Sequence, residues 1–143
     1  LSNNILLKIA LDIATNAHND QIDKAGKPYI LHPIRVSERC NMVEEKIVAL
    51  LHDVIEDTEI TPTTLLSEGF PEHIVKAILS VTKQENENYD DFVKRCSANS
   101  IGKVVKIHDL EDNMDITRLK ELTENDLQRL NKYLKAYYYL KGE

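Results

Sequence analysis

The sequence predicts an all-α protein. Apolar residues recur at helical spacing in successive segments, and no segment alternates apolar and polar residues for long enough to require a β-strand. Capping residues and prolines divide the chain into about seven to eight such segments. A chain of 143 residues is long enough to bury one substantial core, so we predict a single domain over residues 1–143.

The first half of the chain is predicted to contain three principal helices. The first begins after Ser2 or Asn3 and ends near His18, with apolar residues repeating on one face. A short helix follows Pro33 and leads into a longer helix, which we predict to run without a break from residue 43 to residue 56. This longer helix ends in the most polar group of residues in the chain.

Capping signals mark the helix starts of the second half. Thr61 followed by Pro62 is typical of an N-cap and a first helical residue. Ser100 is predicted to cap a helix that reaches about Met114, and Thr123 begins the last helix with a capping-box-like pattern. The core faces predicted for the helix after Pro71 and for the last helix are Ile74, Val75, Ile78 and Leu79, and Leu127, Leu130, Leu134 and Tyr137.

Composition excludes several classes of partner. The net charge of −6 argues against nucleic acid, because binding to its backbone requires clustered lysine and arginine. With 42% apolar and 29% charged residues, no apolar run is long enough to cross a bilayer, so no membrane partner is expected. The N-terminus lacks the pattern of a secretory signal, which predicts a cytoplasmic location. Cys40 and Cys96 have no metal-knuckle or redox spacing and are predicted to be buried thiols.

A group of residues suited to metal binding lies at the end of the predicted 43–56 helix. In a continuous helix His52, Asp53, Glu56 and Asp57 share one polar arc in the last turn. The helix dipole disfavours each carboxylate there by on the order of 0.3–1 kcal/mol, so a cation is expected to compensate. Histidine beside aspartate suits manganese, iron or zinc better than calcium. The alternative interpretation is a solvated acidic helix end.

A metal site needs further ligands, and the chain offers them. His32 lies immediately before Pro33, at the entrance of a predicted helix. Asp109 and Asp112 follow an apolar helical segment, where a carboxylate faces either solvent or a positive charge. From the residues alone, both aspartates are candidate ligands.

Three blocks of residues resemble the hydrolase domain of the RelA/SpoT family. They occur in the family's order and span about residues 18 to 118. The resemblance implies a helical bundle of the HD type, similar to stand-alone alarmone hydrolases that have no synthetase domain. The blocks are His18, Gln21, Lys24, Gly26, Pro28, Tyr29, Ile30, His32 and Pro33; then His52, Asp53, Val54, Ile55, Glu56, Asp57 and Thr58; then Lys106, Ile107, His108 and Asp109 with Asn113 and Met114.

The resemblance also implies a ligand set and a set of reacting groups. The metal ligands would be His32, His52, Asp53 and Asp109, and the ion would be manganese, with iron or zinc as alternatives. Glu56 and Asp57 match the pair that positions and activates the attacking water. Lys24 and Lys106 are candidate phosphate contacts, and Asn113 is a candidate part of the nucleotide wall.

The implied activity is release of pyrophosphate from the 3′ position of guanosine tetra- or pentaphosphate. The expected partner is a small phosphorylated nucleotide, and the oligomeric state is left open. Three positions differ from the family pattern: Asp23 and Leu110 replace arginines, and Asp112 replaces a histidine. We expect these changes to remove cations near the nucleotide, which favours hydrolysis of another nucleotide or a phosphorylated cofactor such as NADPH. A non-catalytic, metal-bound nucleotide sensor is a further alternative, but it gives Glu56 and Asp57 no purpose.

Overall fold

The computed structural model describes all 143 residues and contains nine α-helices, a short 3₁₀-helix and no sheet. This confirms the all-α prediction, and eight helices result if α3 and α4 are counted as the one helix that the sequence predicted. No helix has both the length and the apolar character to cross a membrane. The α-helices are α1 Asn3–Ala17, α2 Leu31–Arg39, α3 Val43–Leu51, α4 Val54–Asp57, α5 Pro62–Ser67, α6 Glu72–Ser80, α7 Tyr89–Ser97, α8 Ser100–Asn113 and α9 Glu124–Lys141, with the 3₁₀-helix at Ile116–Arg118.

Helix α3 lies at the centre of the bundle. It packs against α1, α2, α6 and α8, and Ile47, Val48 and Leu51 have no exposed surface. Full burial of such an aliphatic side chain contributes about 1.5–3 kcal/mol to stability. The chain therefore leaves the most firmly packed helix at Leu51, directly before His52 and Asp53.

The helix predicted over residues 43–56 is broken at His52 and Asp53, so this prediction was wrong. The His52 imidazole donates from Nδ1 to the Ala49 carbonyl at 2.5 Å, and the His52 amide also points to that carbonyl. Such a local side-chain bond competes with the regular helical ladder. Asp53 then adopts φ −107° and ψ −4° before α4 begins at Val54. Because the helix is not continuous, its dipole no longer argues for a cation beside these carboxylates. The break does, however, let the consecutive side chains of His52 and Asp53 point toward the same place.

The helix caps follow the sequence prediction with one exception. Ser2, Thr61 and Thr123 each accept a hydrogen bond from a first-turn amide of α1, α5 and α9. Helix α8 is capped by Asn99 rather than by Ser100, because the Asn99 Oδ1 accepts backbone amides two and three residues later, at 3.1 and 2.9 Å. The start of α8 is thus fixed one residue earlier than predicted.

Three leucines assigned to core faces are exposed. Leu79, Leu127 and Leu134 are 37%, 51% and 43% exposed, which corrects the predicted faces of α6 and α9. Both cysteines are buried and free, as predicted. Helix α9 instead packs against α7 and α8 through Ala136 and Leu140, because the small alanine side chain permits close approach of the helices. The resulting cluster consists of Val93, Leu110, Ala136 and Leu140.

Gly102 on α8 packs against the last residue of α6. A Cβ at this position would lie 2.0 Å from Ser80 Oγ and 3.2 Å from Ser80 Cβ. We therefore expect Gly102→Ala to lower the free energy of unfolding by about 1–3 kcal/mol, a net loss despite the better helix propensity of alanine. Urea denaturation measures this change.

Two further variants test the origin of that loss. Lys103→Ala, an exposed change on the same helix, should alter stability by less than about 0.5 kcal/mol. Gly102→Ala should cost less in a Ser80→Ala background, because the hydroxyl that it meets has been removed. Equal stability of Gly102→Ala and the parent protein would contradict the described packing of α8 on α6.

Candidate metal centre

Four side chains from distant parts of the chain converge at one point. His32 comes from the first turn of α2, His52 and Asp53 from the break after α3, and Asp109 from α8. His32 Nε2 lies 2.9 Å from Asp109 Oδ1 and 3.9 Å from Asp53 Oδ2. His52 Nε2 lies 3.1 Å from Asp53 Oδ2 and 3.4 Å from Asp109 Oδ1. We call these four residues the metal cluster, and they are the four ligands expected from the sequence.

Both imidazoles direct Nε2 into the metal cluster. Nδ1 of His52 donates to the Ala49 carbonyl, and Nδ1 of His32 donates to Asp112 Oδ2 at 2.6 Å. His52 Nε2 is buried and has no hydrogen-bond partner, although two carboxylates flank it. The donor atoms of His32, His52 and Asp109 lie within 4.8 Å of one another. A buried nitrogen without a partner beside imidazole and carboxylate donors fits a divalent cation.

Hydrogen bonds from outside the metal cluster orient its carboxylates. The Tyr29 hydroxyl donates to Asp53. Lys106 Nζ donates to Asp109 Oδ2 at 3.0 Å, and Asn113 Nδ2 donates to Asp109 Oδ1 at 3.1 Å. Contacts of this kind fix the geometry of metal ligands. Lys106, which was expected to contact phosphate, is buried, and its ammonium group already donates to Asp109.

The electrostatics of the metal cluster favour positive charge. Burial lowers the pKa of His52, but Asp53 and Asp109 outweigh burial and raise this pKa well above its ordinary value. Burial raises the pKa of Asp109, but Lys106 and His52 hold it well below its usual range. Two ionised carboxylates therefore surround the imidazole nitrogens, an arrangement that stabilises a cation.

A cavity of about 250 Å³ opens at the metal cluster, and we call it the inner cavity. Glu56 lines it and accepts a hydrogen bond at Oε1 from the Lys83 backbone amide at 2.9 Å. Burial raises the pKa of Glu56, and the charges of Asp53 and Asp57 raise it further. Asp57 itself lines a different cavity, between α1 and the segment after α4. The two expected catalytic carboxylates are thus separated.

Two lysines that sequence reasoning missed also line the inner cavity. Neither Lys83 nor Lys132 has a carboxylate partner, and Lys132 Nζ lies 4.5 Å from the centroid of the Tyr89 ring. Burial lowers the pKa of Lys132, and neighbouring cations lower it further. The Tyr89 hydroxyl is buried and has no hydrogen-bond partner. An anion in this cavity would relieve the repulsion between the cations and give the hydroxyl an acceptor.

A second cavity of about 420 Å³, the outer cavity, adjoins the inner one. Lys24 lines it, with Nζ 2.8 Å from Asp126 Oδ1. Three arginines that the sequence analysis did not single out also line it; they are Arg35, Arg118 and Arg129. The two cavities share four lining residues: Tyr29, His32, Asn113 and Tyr133.

The positions that differ from the family pattern lie in three different environments. Leu110 is fully buried in the α7–α8–α9 core and lines neither cavity. Asp23 lines the outer cavity, and its Oδ1 accepts the amides of Ala25 and Lys27. Asp112 contacts Nδ1 of His32, on the opposite edge of the ring from Nε2, and therefore does not compete as a ligand.

Sequence comparisons place these features in a family. The HD domain family model matches residues 10–106. A guanosine-3′,5′-bis(diphosphate) 3′-pyrophosphohydrolase of Aquifex aeolicus is 32% identical over 117 residues, covering 73% of this chain and 17% of the relative. A protein of the same name from Borreliella burgdorferi is 34% identical over 140 residues, covering 86% of this chain and 20% of the relative. The chain spans about a fifth of the length of these relatives.

A solved structure supports the same fold. A metazoan ortholog of SpoT, described as hydrolysing ppGpp and playing a role in starvation responses, matches with a TM-score of 0.76 and 20% identity. The match covers 94% of this chain and 84% of the other. The family model includes His32, His52 and Asp53 and extends over more than half of the sequence. This chain belongs to the HD domain family.

Proposed function

We propose that this protein is a metal-dependent pyrophosphohydrolase that removes the 3′-diphosphate of guanosine tetra- or pentaphosphate. The observation that carries the proposal is the metal cluster, which lies beside Glu56 in one cavity. The names of the similar proteins support the substrate. His32, His52, Asp53 and Asp109 would hold the cation, with manganese preferred over iron or zinc. A divalent cation bound there would polarise a phosphoryl oxygen and lower the pKa of water.

Glu56 is the proposed general base. It lines the inner cavity, the Lys83 amide fixes its carboxylate, and burial raises its pKa even though the bond from that amide lowers it, a direction that suits a general base. Water adds to the phosphorus bonded to the 3′-oxygen as Glu56 takes its proton. The bond from phosphorus to the 3′-oxygen breaks, that oxygen is protonated, and pyrophosphate leaves. Asp57 contributes its charge, which raises the pKa of Glu56.

The two cavities suit the two parts of such a substrate. We assign the diphosphate to the inner cavity, where Lys83 and Lys132 lack carboxylate partners. We assign the nucleoside to the outer cavity, whose volume of about 420 Å³ lies in the usual range for small-molecule sites. There Lys24 lines the wall, and Asn113 stands where the two cavities meet.

A second candidate function is hydrolysis of another nucleotide or of a phosphorylated cofactor such as NADPH. Asp23 favours it, because this carboxylate lines the outer cavity at a position where the resemblance to the RelA/SpoT family implies arginine. A negative charge there disfavours a base or phosphate that an arginine would bind. The metal cluster and Glu56 would serve either reaction.

An activity assay separates these functions. The protein is stripped with a chelator, reloaded with manganese and incubated separately with guanosine tetraphosphate, NADPH and GTP. We expect pyrophosphate and GDP from guanosine tetraphosphate and no product from the other two. Orthophosphate from NADPH would support the second candidate instead. Tight binding of a nucleotide with no product from any of them would indicate a non-catalytic sensor.

A further inference from the structure

Behind the metal cluster lies a buried ionic chain that the proposed reaction does not use. Asp112 on α8 has no exposed surface, and its carboxylate faces two residues of α2. Its Oδ2 accepts from His32 Nδ1 at 2.6 Å. Arg35 donates from Nε to Oδ1 at 2.8 Å and from its terminal nitrogen to Oδ2 at 3.1 Å. The chain therefore runs from Arg35 through Asp112 to His32.

This arrangement determines which nitrogen of His32 keeps its proton when a cation binds. Asp112 Oδ2 accepts from Nδ1, and Asp109 Oδ1, 2.9 Å away, accepts from Nε2, so a cation that displaces the proton at Nε2 leaves the proton at Nδ1 in its bond to Asp112. The two-pronged contact with Arg35 fixes the plane of the carboxylate, which in turn fixes the plane of the ring. Arg118 adds a bond to the Asp112 backbone carbonyl at 2.9 Å.

The two histidines of the metal cluster are held by unequal acceptors. His52 donates to a neutral backbone carbonyl of its own helix, whereas His32 donates to an ionised carboxylate from another helix. Hydrogen bonds to charged acceptors are roughly twice as strong as those to neutral ones. A carboxylate at the far nitrogen also makes an imidazole a more basic ligand. His32 is thus the imidazole whose strength as a ligand depends on contacts between helices.

We propose that Asp112, held by Arg35, is a positioning residue that orients His32 and fixes its proton for binding of a divalent cation. The proposal rests on the metal site of the proposed function. Asp112 is one of the three positions at which this chain departs from the pattern that the resemblance to the RelA/SpoT family implies. The competing explanation is that the buried ion pair only joins α2 to α8.

The principal test is Asp112→Asn in the full chain, studied without substrate. We expect the manganese dissociation constant, measured by calorimetry on chelator-stripped protein, to rise about 10–100-fold. When the His32 ring is neutral in the metal-free protein, its nitrogen NMR shifts should indicate protonation mainly at Nδ1 in the parent and a mixture of tautomers in the variant. The matched control is Glu111→Gln, the neighbouring acid of α8, which pairs with His108 away from the metal cluster and should change neither readout.

A second variant covers the case in which Asp112→Asn does not fold. Arg35→Gln keeps the contact between Asp112 and His32 but removes the two hydrogen bonds that Arg35 donates to Asp112. Because Arg35 is partly exposed, we expect this variant to fold. It should weaken manganese binding by less than Asp112→Asn. A lower melting temperature with unchanged manganese affinity and tautomer in the variants would overturn the proposal and leave a purely structural pair.

The failure of the proposed function would look different. A parent protein that binds manganese but hydrolyses none of the nucleotides fails the function and leaves the role of Asp112 supported by the affinity and NMR shifts. A parent protein that binds no divalent cation overturns both proposals.

Discussion

Replacing His52 with alanine is expected to abolish manganese binding and hydrolysis together. His52 supplies the nitrogen that lies 3.1 Å from Asp53 and 3.4 Å from Asp109 in a fully enclosed position. Without it, one imidazole faces two carboxylates, and their mutual repulsion is offset less than in the parent. Affinity should fall by more than about 100-fold, because even changes behind the ligands cost about 10–100-fold. Calorimetric titration and the pyrophosphate assay measure the two effects.

His73→Ala is the control for this variant. His73 is an exposed histidine on α6 that pairs with Glu44 at the opposite end of α3 from His52, and its loss should leave metal affinity unchanged. Removing His52 also leaves the Ala49 carbonyl without its side-chain donor, so a loss of stability of about 1–3 kcal/mol is expected. A circular dichroism melt shows whether the variant is folded at the assay temperature. A folded His52→Ala protein with parental manganese affinity would contradict the ligand set.

The ligand set was predictable because its residues occur in recognisable blocks, whereas the backbone that presents them was not. The segment from His52 to Asp57 contains neither proline nor glycine, so its sequence favours an unbroken helix. The break comes from the His52 ring, which bonds the Ala49 carbonyl, and from the position of α2 and α8. The first is a local side-chain bond and the second a set of tertiary contacts, and apolar periodicity along one helix contains no information about either.

Tertiary contacts also decide which residues line the substrate cavities, so the sequence did not predict the environments of Leu110 and Lys132. Leu110 follows Asp109, and consecutive residues on a helix point about 100° apart. When Asp109 faces the metal cluster, Leu110 faces the α9 interface instead. Lys132 reaches the inner cavity only because α9 docks through Ala136 and Leu140, and a lysine in a sequence is most often solvated. Residue type alone could not identify either environment.

Glu56→Gln is expected to separate catalysis from metal binding. The amide keeps the shape of the side chain and an acceptor for the Lys83 backbone amide, but it cannot take a proton from water. We expect kcat to fall by about 10²–10⁴-fold, the usual contribution of a general base, with manganese affinity close to that of the parent. Steady-state kinetics at saturating manganese and a calorimetric titration provide the two values.

Asp57→Asn is the control with which the kcat of Glu56→Gln is compared. Asp57 is the adjacent carboxylate, but it lines a different cavity and acts on Glu56 only through its charge. Its loss should therefore lower kcat by much less than the loss of Glu56. Equal losses in the two variants would indicate that the local negative charge, rather than proton transfer at Glu56, is what the reaction needs. A fall in manganese affinity confined to Glu56→Gln would make Glu56 a ligand and contradict its assignment as the base.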